Sequence, residues 1–228
     1  MNTSTIKKTI EINASSHNVW KVLTNPIFMT AWTYENMEGT TVEGEPRMDG
    51  SYYFKDKTGQ GLRAKVSVFL AGQNFKYHYV ANIVDGREER ESNDYKEWAE
   101  CYDNYVLTEN NDVTTFDLES KNPSKYDSMF DEMWDKNLEK IKQFAEDLQT
   151  LEEEGYGDLT AVNMPFGKPE HTHDNETVHI ILLGDLHTSE KGEEKTFSPG
   201  DKVVFPAGTT HTANADDTKG IMIVGFKK

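Results

Sequence analysis

The stretch that decides the fold lies at 169–214. It reads PEHTHDNETVHIILLG at 169–184 and, after a polar segment, PGDKVVFPAGTTHTAN at 199–214. It holds five of the seven histidines of the chain, namely His171, His173, His179, His187 and His211. Histidine is the commonest metal ligand and a frequent acid–base group in proteins. We therefore expect the chemistry of the protein to centre on this stretch.

His171 and His173 have the spacing of residues on one face of a strand. Side chains two residues apart in an extended strand point the same way. If the strand continues without a bulge, the same face also carries Thr177, His179 and Ile181. Apolar residues occupy both faces of 178–183, which predicts a strand buried on both sides, as in a barrel or sandwich.

A second strand is predicted at 201–205. The polar, glycine-containing segment 185–195 should be a hairpin connection, and Pro206-Ala207-Gly208 should form a turn directly before His211. If the two strands are neighbours, His211 can approach His171 and His173. Three neutral imidazoles at one point form a first-row transition-metal site, which zinc, iron, nickel, copper or manganese could fill.

The second half of the stretch resembles the cupin family signature G-x5-P-x-G-x2-H-x3-N. Gly200, Pro206, Gly208 and His211 match it, and its final asparagine falls one residue early, at Asn214. The resemblance implies a small all-β barrel that contains a metal site.

The first half resembles the other cupin motif, G-x5-H-x-H-x3,4-E-x6-G. His171, His173 and Gly184 match it, whereas the opening glycine is displaced to Gly167 and Thr177 occupies the position of the acidic ligand. The resemblance therefore implies a site for a divalent transition metal (Zn, Fe, Ni or Mn) with the ligands His171, His173 and His211. Three candidates remain for the fourth ligand, which are Glu176 through a local bulge, His179, and water. A cupin-like barrel without metal, its histidines serving as hydrogen-bonded pocket residues, is the alternative.

Composition limits the remaining possibilities. The chain has 228 residues, enough for one large or two small domains. Its single cysteine, Cys101, excludes a disulfide framework and indicates a reducing, cytoplasmic location. We find no apolar signal segment and no run long enough to span a membrane. The net charge of −16 disfavours nucleic acid and anionic membranes as partners.

The first part of the chain combines strand and helix patterns. Two short helices are predicted, one after Ala14-Ser15-Ser16 and one after Asn25-Pro26. The charged segment 85–94 is predicted to be a solvated loop. Alternating apolar residues predict strands at 5–12, 50–55, 62–70, 75–84, 97–107 and 113–119.

A long helix is predicted to open at Asn122-Pro123-Ser124 and to end at Gly155. Its apolar stripe, spaced i, i+3, i+4, should pack against the antiparallel sheet. The helix end predicts a domain boundary that divides the chain into 1–154 and 155–228. The stripe consists of Tyr126, Met129, Phe130, Met133, Trp134, Leu138, Ile141, Phe144, Ala145 and Leu148.

This order of elements resembles the helix-grip superfamily of START and polyketide-cyclase proteins, and within it the domain named after activators of the Hsp90 ATPase. The resemblance covers roughly residues 4–150, and it implies an antiparallel sheet wrapped on a long C-terminal helix, an α+β fold. The residues that carry it are Val19-Trp20, Leu23-Thr24, Pro26, Trp32, Gly50, Tyr52–Phe54, Trp134 and Leu138.

The helix-grip fold implies a cavity between sheet and helix that can hold a small apolar ligand. The alternative is that the aromatic side chains simply fill the core. The candidate lining residues are Trp32, Tyr52, Phe54, Tyr77, Tyr79, Trp98, Phe130 and Trp134.

Three functional hypotheses follow. The first is a two-domain protein that binds a small molecule in one domain and a metal in the other. The second is a metal-dependent cupin enzyme of dioxygenase, isomerase or hydrolase type, with the START-like domain as its substrate-binding or regulatory module. The third is a structural or chaperone-associated module. The sequence contains no Ser-His-Asp pattern, phosphate loop or CxxC pair, which favours the first. A homodimer through the cupin domain is a further expectation.

Overall fold

The computed structural model describes residues 2–35, 37, 39–216 and 219–228. Its contacts divide the chain into two compact units, Met1–Glu146 and Asp147–Lys228. This division falls inside the long helix, whereas the sequence placed the domain boundary at the end of that helix, between 154 and 155. The boundary at 154/155 stays a prediction.

Among its described residues, the N-terminal unit is built on an antiparallel sheet and four α-helices. The helices are α1 (Ser16–Thr24), α2 (Pro26–Thr33), α3 (Asn93–Trp98) and α4 (Asp127–Glu153). The strands are β1 (Thr3–Ile12), β2 (Thr41–Gly44), β3 (Ser51–Lys55), β4 (Gly61–Leu70), β5 (Asn74–Val84), β6 (Arg87–Glu89), β7 (Tyr102–Asn110) and β8 (Val113–Pro123). They pair in the order β1-β8-β7-β5-β4-β3-β2, and β6 pairs with β5.

Strand alternation positions the core of this unit. In β5 every second residue is buried, from Phe75 to Ile83. In β7 the buried residues are Asp103, Tyr105 and Leu107, which point to the same face of the strand. The residues between them, which point to the other face of the sheet, are half-buried or exposed. This pattern is typical of an antiparallel sheet that packs one face on the core. The aromatic face of the sheet meets α4, where the ring centroids of Tyr105 and Trp134 are 5.9 Å apart.

The two short helices begin where the sequence predicts. The Ser15 hydroxyl accepts from the Asn18 N–H at the start of α1, and Asn25 Oδ1 accepts from the Ile27 N–H at 2.8 Å at the start of α2. These side chains satisfy backbone donors that have no partner within the helix.

The long helix begins later than predicted. Pairing with β1 carries β8 through Asn122 and Pro123, and a 3-10 turn at Ser124–Tyr126 precedes α4. The predicted stripe is buried from Phe130 to Leu148, but Met129 is 52% exposed. The predicted end is confirmed, because α4 stops at Glu153 and Gly155 adopts a φ of 86°.

Two further predictions were wrong in the same region. The segment 85–94 is not only a loop, since it contains β6 and the start of α3. The strand predicted at 97–107 begins at Tyr102, because the preceding residues form α3. The Ser92 hydroxyl accepts from the Tyr95 N–H at 3.1 Å, which caps that helix.

In the described part of the C-terminal unit, the end of α4 is followed by seven strands. They are β9 (Tyr156–Asn163), β10 (Thr177–Leu183), β11 (Leu186–Glu190), β12 (Glu193–Phe197), β13 (Lys202–Phe205), β14 (Thr212–Ala215) and β15 (Ile221–Lys227). Two sheets form, with the orders β13-β10-β15-β9 and β12-β11-β14. Every residue of β10 is buried, as predicted. Side chains from both sheets share one apolar cluster, made of Met164, Ile181, Leu186, Val203, Phe205, Ala213, Ala215 and Met222.

The fold class is thus a helix-grip α+β domain followed by an all-β cupin domain. Within the part of the chain that the structure describes, no helix has the length and apolar character required to cross a membrane.

Candidate functional site

The backbone joins the two histidine segments directly. His171 and His211 form an isolated antiparallel bridge, in which each N–H donates to the carbonyl oxygen of the other at 3.0 Å. The Gly208 N–H donates to the His173 carbonyl at 2.9 Å. The turn after β13 is therefore held against the segment that precedes β10, and the three histidines are brought to one place.

The imidazoles of these three residues form a cluster. Their potential ligand atoms all lie within 4.8 Å of one another. The ring centroid of His171 lies 5.0 Å from that of His173 and 4.6 Å from that of His211. The centroids of His173 and His211 are 5.4 Å apart. This proximity is what the sequence spacing predicts.

Hydrogen bonds orient the rings. Nδ1 of His171 lies 3.1 Å from the carbonyl oxygen of Pro169, and Nδ1 of His211 lies 3.1 Å from that of Thr209. A carbonyl can only accept, so each Nδ1 carries a proton, and in the neutral form of the ring Nε2 then presents a lone pair. Among the described residues, buried Nε2 atoms of His173 and His211 have no hydrogen-bond partner.

Electrostatics favours the neutral form of the His173 and His211 rings. Burial lowers the pKa of His173, and the neighbouring His171 and His211 lower it further. Burial also lowers the pKa of His211, against the opposing effect of its hydrogen bond to Thr209. Neutral imidazole is the form that binds metal, so the donor set fits a divalent transition metal.

Neighbouring side chains hold the cluster in position. The ring of Phe205 stacks on His211 with a centroid separation of 3.7 Å and an interplanar angle of 4°. Asn214 Oδ1 accepts from the Lys168 N–H at 2.6 Å, and its Nδ2 donates to the Lys168 carbonyl at 3.1 Å. Asn214, the asparagine assigned to the second motif, thus holds the loop that precedes His171 by two hydrogen bonds.

His179 lies beside the cluster. It lines a cavity of about 310 Å³ together with His171 and His173. Its Nδ1 is buried without a hydrogen-bond partner among the described residues. Burial lowers the pKa of His179 to about 4, with a further contribution from His173 and its neighbours.

Glu176 and His187 point elsewhere. Glu176 accepts a hydrogen bond from the Tyr156 hydroxyl at 2.7 Å, and it is not part of the three-histidine cluster. His187, in β11, has its Nδ1 2.9 Å from the Thr196 hydroxyl. The face shared with His171 and His173 was expected only if the strand continued without a break, and β10 begins at Thr177 instead.

A second candidate site is an apolar cavity of about 170 Å³ between the sheet and α4 of the N-terminal unit. Seven of the eight aromatic residues proposed from the sequence line it, namely Trp32, Phe54, Tyr77, Tyr79, Trp98, Phe130 and Trp134. Tyr52 is absent from this lining. It is fully buried, and its hydroxyl donates to the Thr24 carbonyl at 2.5 Å.

Sequence reasoning missed the polar end of this cavity. Asp103 lines it and is only 3% exposed. The Tyr79 hydroxyl donates to its Oδ2 at 2.9 Å, and the Ser120 hydroxyl donates to its Oδ1. A signal was present, because Asp103 has the same strand parity as the buried Tyr105 and Leu107. Burial raises the pKa of Asp103, against these hydrogen bonds.

These features define a protein with two domains, a helix-grip domain around an apolar cavity and a cupin domain with a histidine cluster. The chain belongs to the family described as Activator of Hsp90 ATPase homolog 1-like protein, whose family model matches residues 13–146. The Cupin domain model matches residues 163–225. A family with this fold carries several functions, so the function has to be argued from the sites.

Several solved structures are similar to parts of the chain. A crystal structure of a Mesorhizobium loti protein has 14% identity and a TM-score of 0.48, with 63% of this chain and 98% of that one covered. The solution structure of the Aha1 dimer from Colwellia psychrerythraea has 15% identity and a TM-score of 0.48, with 61% and 93% covered. A cupin-2 domain containing protein from Shewanella frigidimarina has 22% identity and a TM-score of 0.27, with 31% and 67% covered. No curated protein matches the chain.

Proposed function

We propose that this protein binds a small molecule in its helix-grip domain and one divalent transition metal in its cupin domain. The observation that carries the proposal is the convergence of His171, His173 and His211, whose ligand atoms lie within 4.8 Å of one another. The buried Nε2 atoms of His173 and His211 without other partners support the same assignment. A donor set of three imidazoles suits Zn, Fe, Ni or Mn.

The fourth position is part of the proposal. His179 is one further candidate, because it lines the same cavity as His171 and His173. Glu176 would have to give up its hydrogen bond with Tyr156 to reach a metal. Water is the remaining choice. A bound metal with an open position would supply Lewis-acid chemistry.

Metal content tests the proposal. Tag-free protein should contain close to one equivalent of metal by elemental analysis, and His211→Ala should lose it. His187→Ala is the matched control, because His187 is a histidine of the same unit that bonds to Thr196 instead. Equal metal content in wild type and His211→Ala, or no metal after reconstitution, would remove this half of the proposal.

The second half of the proposal is a small apolar ligand in the helix-grip cavity. It is supported by a cavity of about 170 Å³ whose lining is largely aromatic. A pocket with apolar walls and few polar groups is the usual form of a small-molecule site. Met37 and Met129 line this cavity and are 37% and 52% exposed, so they mark its opening to solvent.

A metal-dependent enzyme with the START-like domain as substrate-binding or regulatory module is the second candidate function. The buried Nδ1 of His179 favours it, because this nitrogen has no partner among the described residues and lies in the cavity that His171 and His173 also line, where it can bind a polar group of a substrate. Cobalt-loaded protein provides the test. A change in its visible spectrum on addition of acetohydroxamate would show that the metal has coordination positions open to a chelating substrate. An unchanged spectrum would contradict the enzyme function and leave binding as the proposed function.

The proposal also includes a homodimer through the cupin domain. β9 and β13 are the edge strands of the four-stranded sheet, and exposed edges are commonly covered by association. Light scattering on the full chain should then give twice the monomer mass. A monomer at all concentrations would contradict this part.

A further inference from the structure

The cavity of the helix-grip domain is small and almost entirely apolar. Its volume of about 170 Å³ is comparable to the roughly 150 Å³ engineered cavity that binds benzene. The walls come from α4, the sheet and α3, with Trp98, Phe130 and Trp134 among them. The size therefore fits a molecule of one or two rings, and the walls fit an apolar body.

Trp134 brings a buried donor to this lining. Trp134 is 3% exposed, and among the described residues its Nε1–H has no hydrogen-bond partner. The nearby Trp32, whose ring centroid is 6.1 Å from that of Trp134, instead donates from Nε1 to the Val22 carbonyl at 3.1 Å. Buried N–H groups are nearly always paired, since a donor that has lost its water without gaining another acceptor is unfavourable. An acceptor inside the cavity would satisfy Trp134.

The charges around the cavity disfavour an anion. Among the described lining residues, none is a lysine, arginine or histidine, and the one ionisable acid is Asp103. Both carboxyl oxygens of Asp103 already accept hydrogen bonds, from Ser120 and from Tyr79. Burying an anion without a compensating positive charge is strongly unfavourable. Binding of a carboxylate, such as that of a fatty acid, is therefore disfavoured in this cavity.

We infer that this cavity takes an uncharged molecule of one or two rings that carries a carbonyl or ether oxygen, with Trp134 Nε1–H as the donor to that oxygen, and that it excludes carboxylates. This inference rests on the proposed small-molecule function of the helix-grip domain and names the class of ligand. The indole of Trp134 then determines specificity, while the aromatic walls supply the affinity that all apolar rings share.

The test compares three probes on the full-length protein. Acetophenone is uncharged and has a carbonyl oxygen, ethylbenzene has nearly the same shape without it, and benzoate is the anion. Dissociation constants are measured by calorimetry for wild type and for Trp134→Phe, which keeps an aromatic wall and removes the donor. Trp98→Phe is the matched control, because Trp98 lines the same cavity.

In wild type, acetophenone and ethylbenzene should both bind, and benzoate should bind at least about ten-fold more weakly than acetophenone. The preference for acetophenone over ethylbenzene should fall about three- to ten-fold in Trp134→Phe, the usual range for one hydrogen bond. It should be unchanged in Trp98→Phe. The assigned indole N–H signal of Trp134 in wild type should shift with acetophenone and stay in place with ethylbenzene, a readout that does not depend on any variant folding.

The outcomes separate the two proposals. If neither ethylbenzene nor acetophenone binds wild type, the small-molecule function of the cavity fails and the inference with it. If both bind and the preference is the same in Trp134→Phe, or benzoate binds as well as acetophenone, the cavity function stands and the inference is overturned. If the indole N–H signal of Trp134 does not shift at saturating acetophenone, the inference is overturned as well.

Discussion

At the scale of single residues, burial decides which ionisable groups affect stability. Asp103 lies on β7 with 3% of its surface exposed. Removal from water raises the pKa of its carboxyl, while hydrogen bonds from Ser120, Tyr77 and Tyr79 act in the opposite direction. Burial is the larger effect, because the buried carboxyl loses more hydration than these hydroxyl donors replace.

Asp103→Asn should remove part of the pH dependence of the unfolding free energy. A carboxyl with a raised folded-state pKa binds its proton more tightly when folded, so stability decreases as the pH rises above the ordinary value of 3.8, and levels off above the folded-state pKa. Asparagine does not titrate. Wild type should therefore lose stability relative to the variant across this window.

Urea unfolding at about pH 4, 6 and 8 measures this difference. The exposed Asp117 on β8, changed to Asn, controls for the loss of one negative charge. A gap between wild type and Asp103→Asn that is the same at all three pH values would show that the buried carboxyl does not titrate differently in the folded chain.

The site residues that could be predicted are those whose spacing in the sequence indicates that they lie close together in the fold. His171, His173 and His211 follow from strand parity and a turn, and the structure brings them together. The role of Trp134 as an unpaired donor could not be predicted, because it depends on which carbonyl groups its neighbours leave within reach in three dimensions. Hydrogen-bond satisfaction is a property of the folded environment, whereas periodicity is a property of the chain.

At the scale of elements, helix ends are determined by individual side chains. Asn25 has two functions between α1 and α2, since its backbone N–H donates to the Lys21 carbonyl and its Oδ1 accepts from the Ile27 N–H. The following Pro26 lacks a donor and fits the first position of a helix. One residue thus ends a helix and begins the next.

Asn25→Ala should therefore destabilise the protein by about 0.5–2 kcal/mol, since a capping acceptor is lost. Asn25→Ser is the control, because serine keeps a side-chain acceptor and should cost only a few tenths of that amount. Urea unfolding with an unchanged m-value measures both. Equal stability of the alanine and serine variants would mean that the cap contributes nothing here.

Periodicity predicted long elements better than their ends. The stripe of α4 and the alternation of β5 are continuous over many residues, and both were found. The start of α4 was misplaced because β8 continues its pairing with β1 through Pro123. The strands β2, β6, β9, β11, β12, β14 and β15 were not predicted, and the segment 185–195, predicted as a hairpin connection, contains β11 and the start of β12. Short or irregular patterns carry little signal when tertiary contacts decide the structure.

At the scale of the whole molecule, the two-domain organisation was predictable because each half has its own signal. The N-terminal unit follows from the order of its elements, and the cupin domain follows from two motifs. The division between them is less clear from sequence, because α4 runs from one unit into the other. Contacts assign 147–153 to the C-terminal unit, although this segment continues the helix of the N-terminal one.

The segment 147–153 should therefore be needed by the cupin domain. Within it Leu148 and Leu151 are fully buried, and burying a leucine contributes about 1.5–3 kcal/mol. A fragment of 147–228 should unfold at a higher urea concentration than a fragment of 155–228, which lacks both side chains. Leu148→Ala/Leu151→Ala in the longer fragment separates their packing from the length of the chain, and it should lower stability towards that of 155–228. If the two fragments instead unfold at the same urea concentration with equally dispersed amide spectra, the cupin domain is complete from residue 155, and the boundary between 154 and 155 is the correct one.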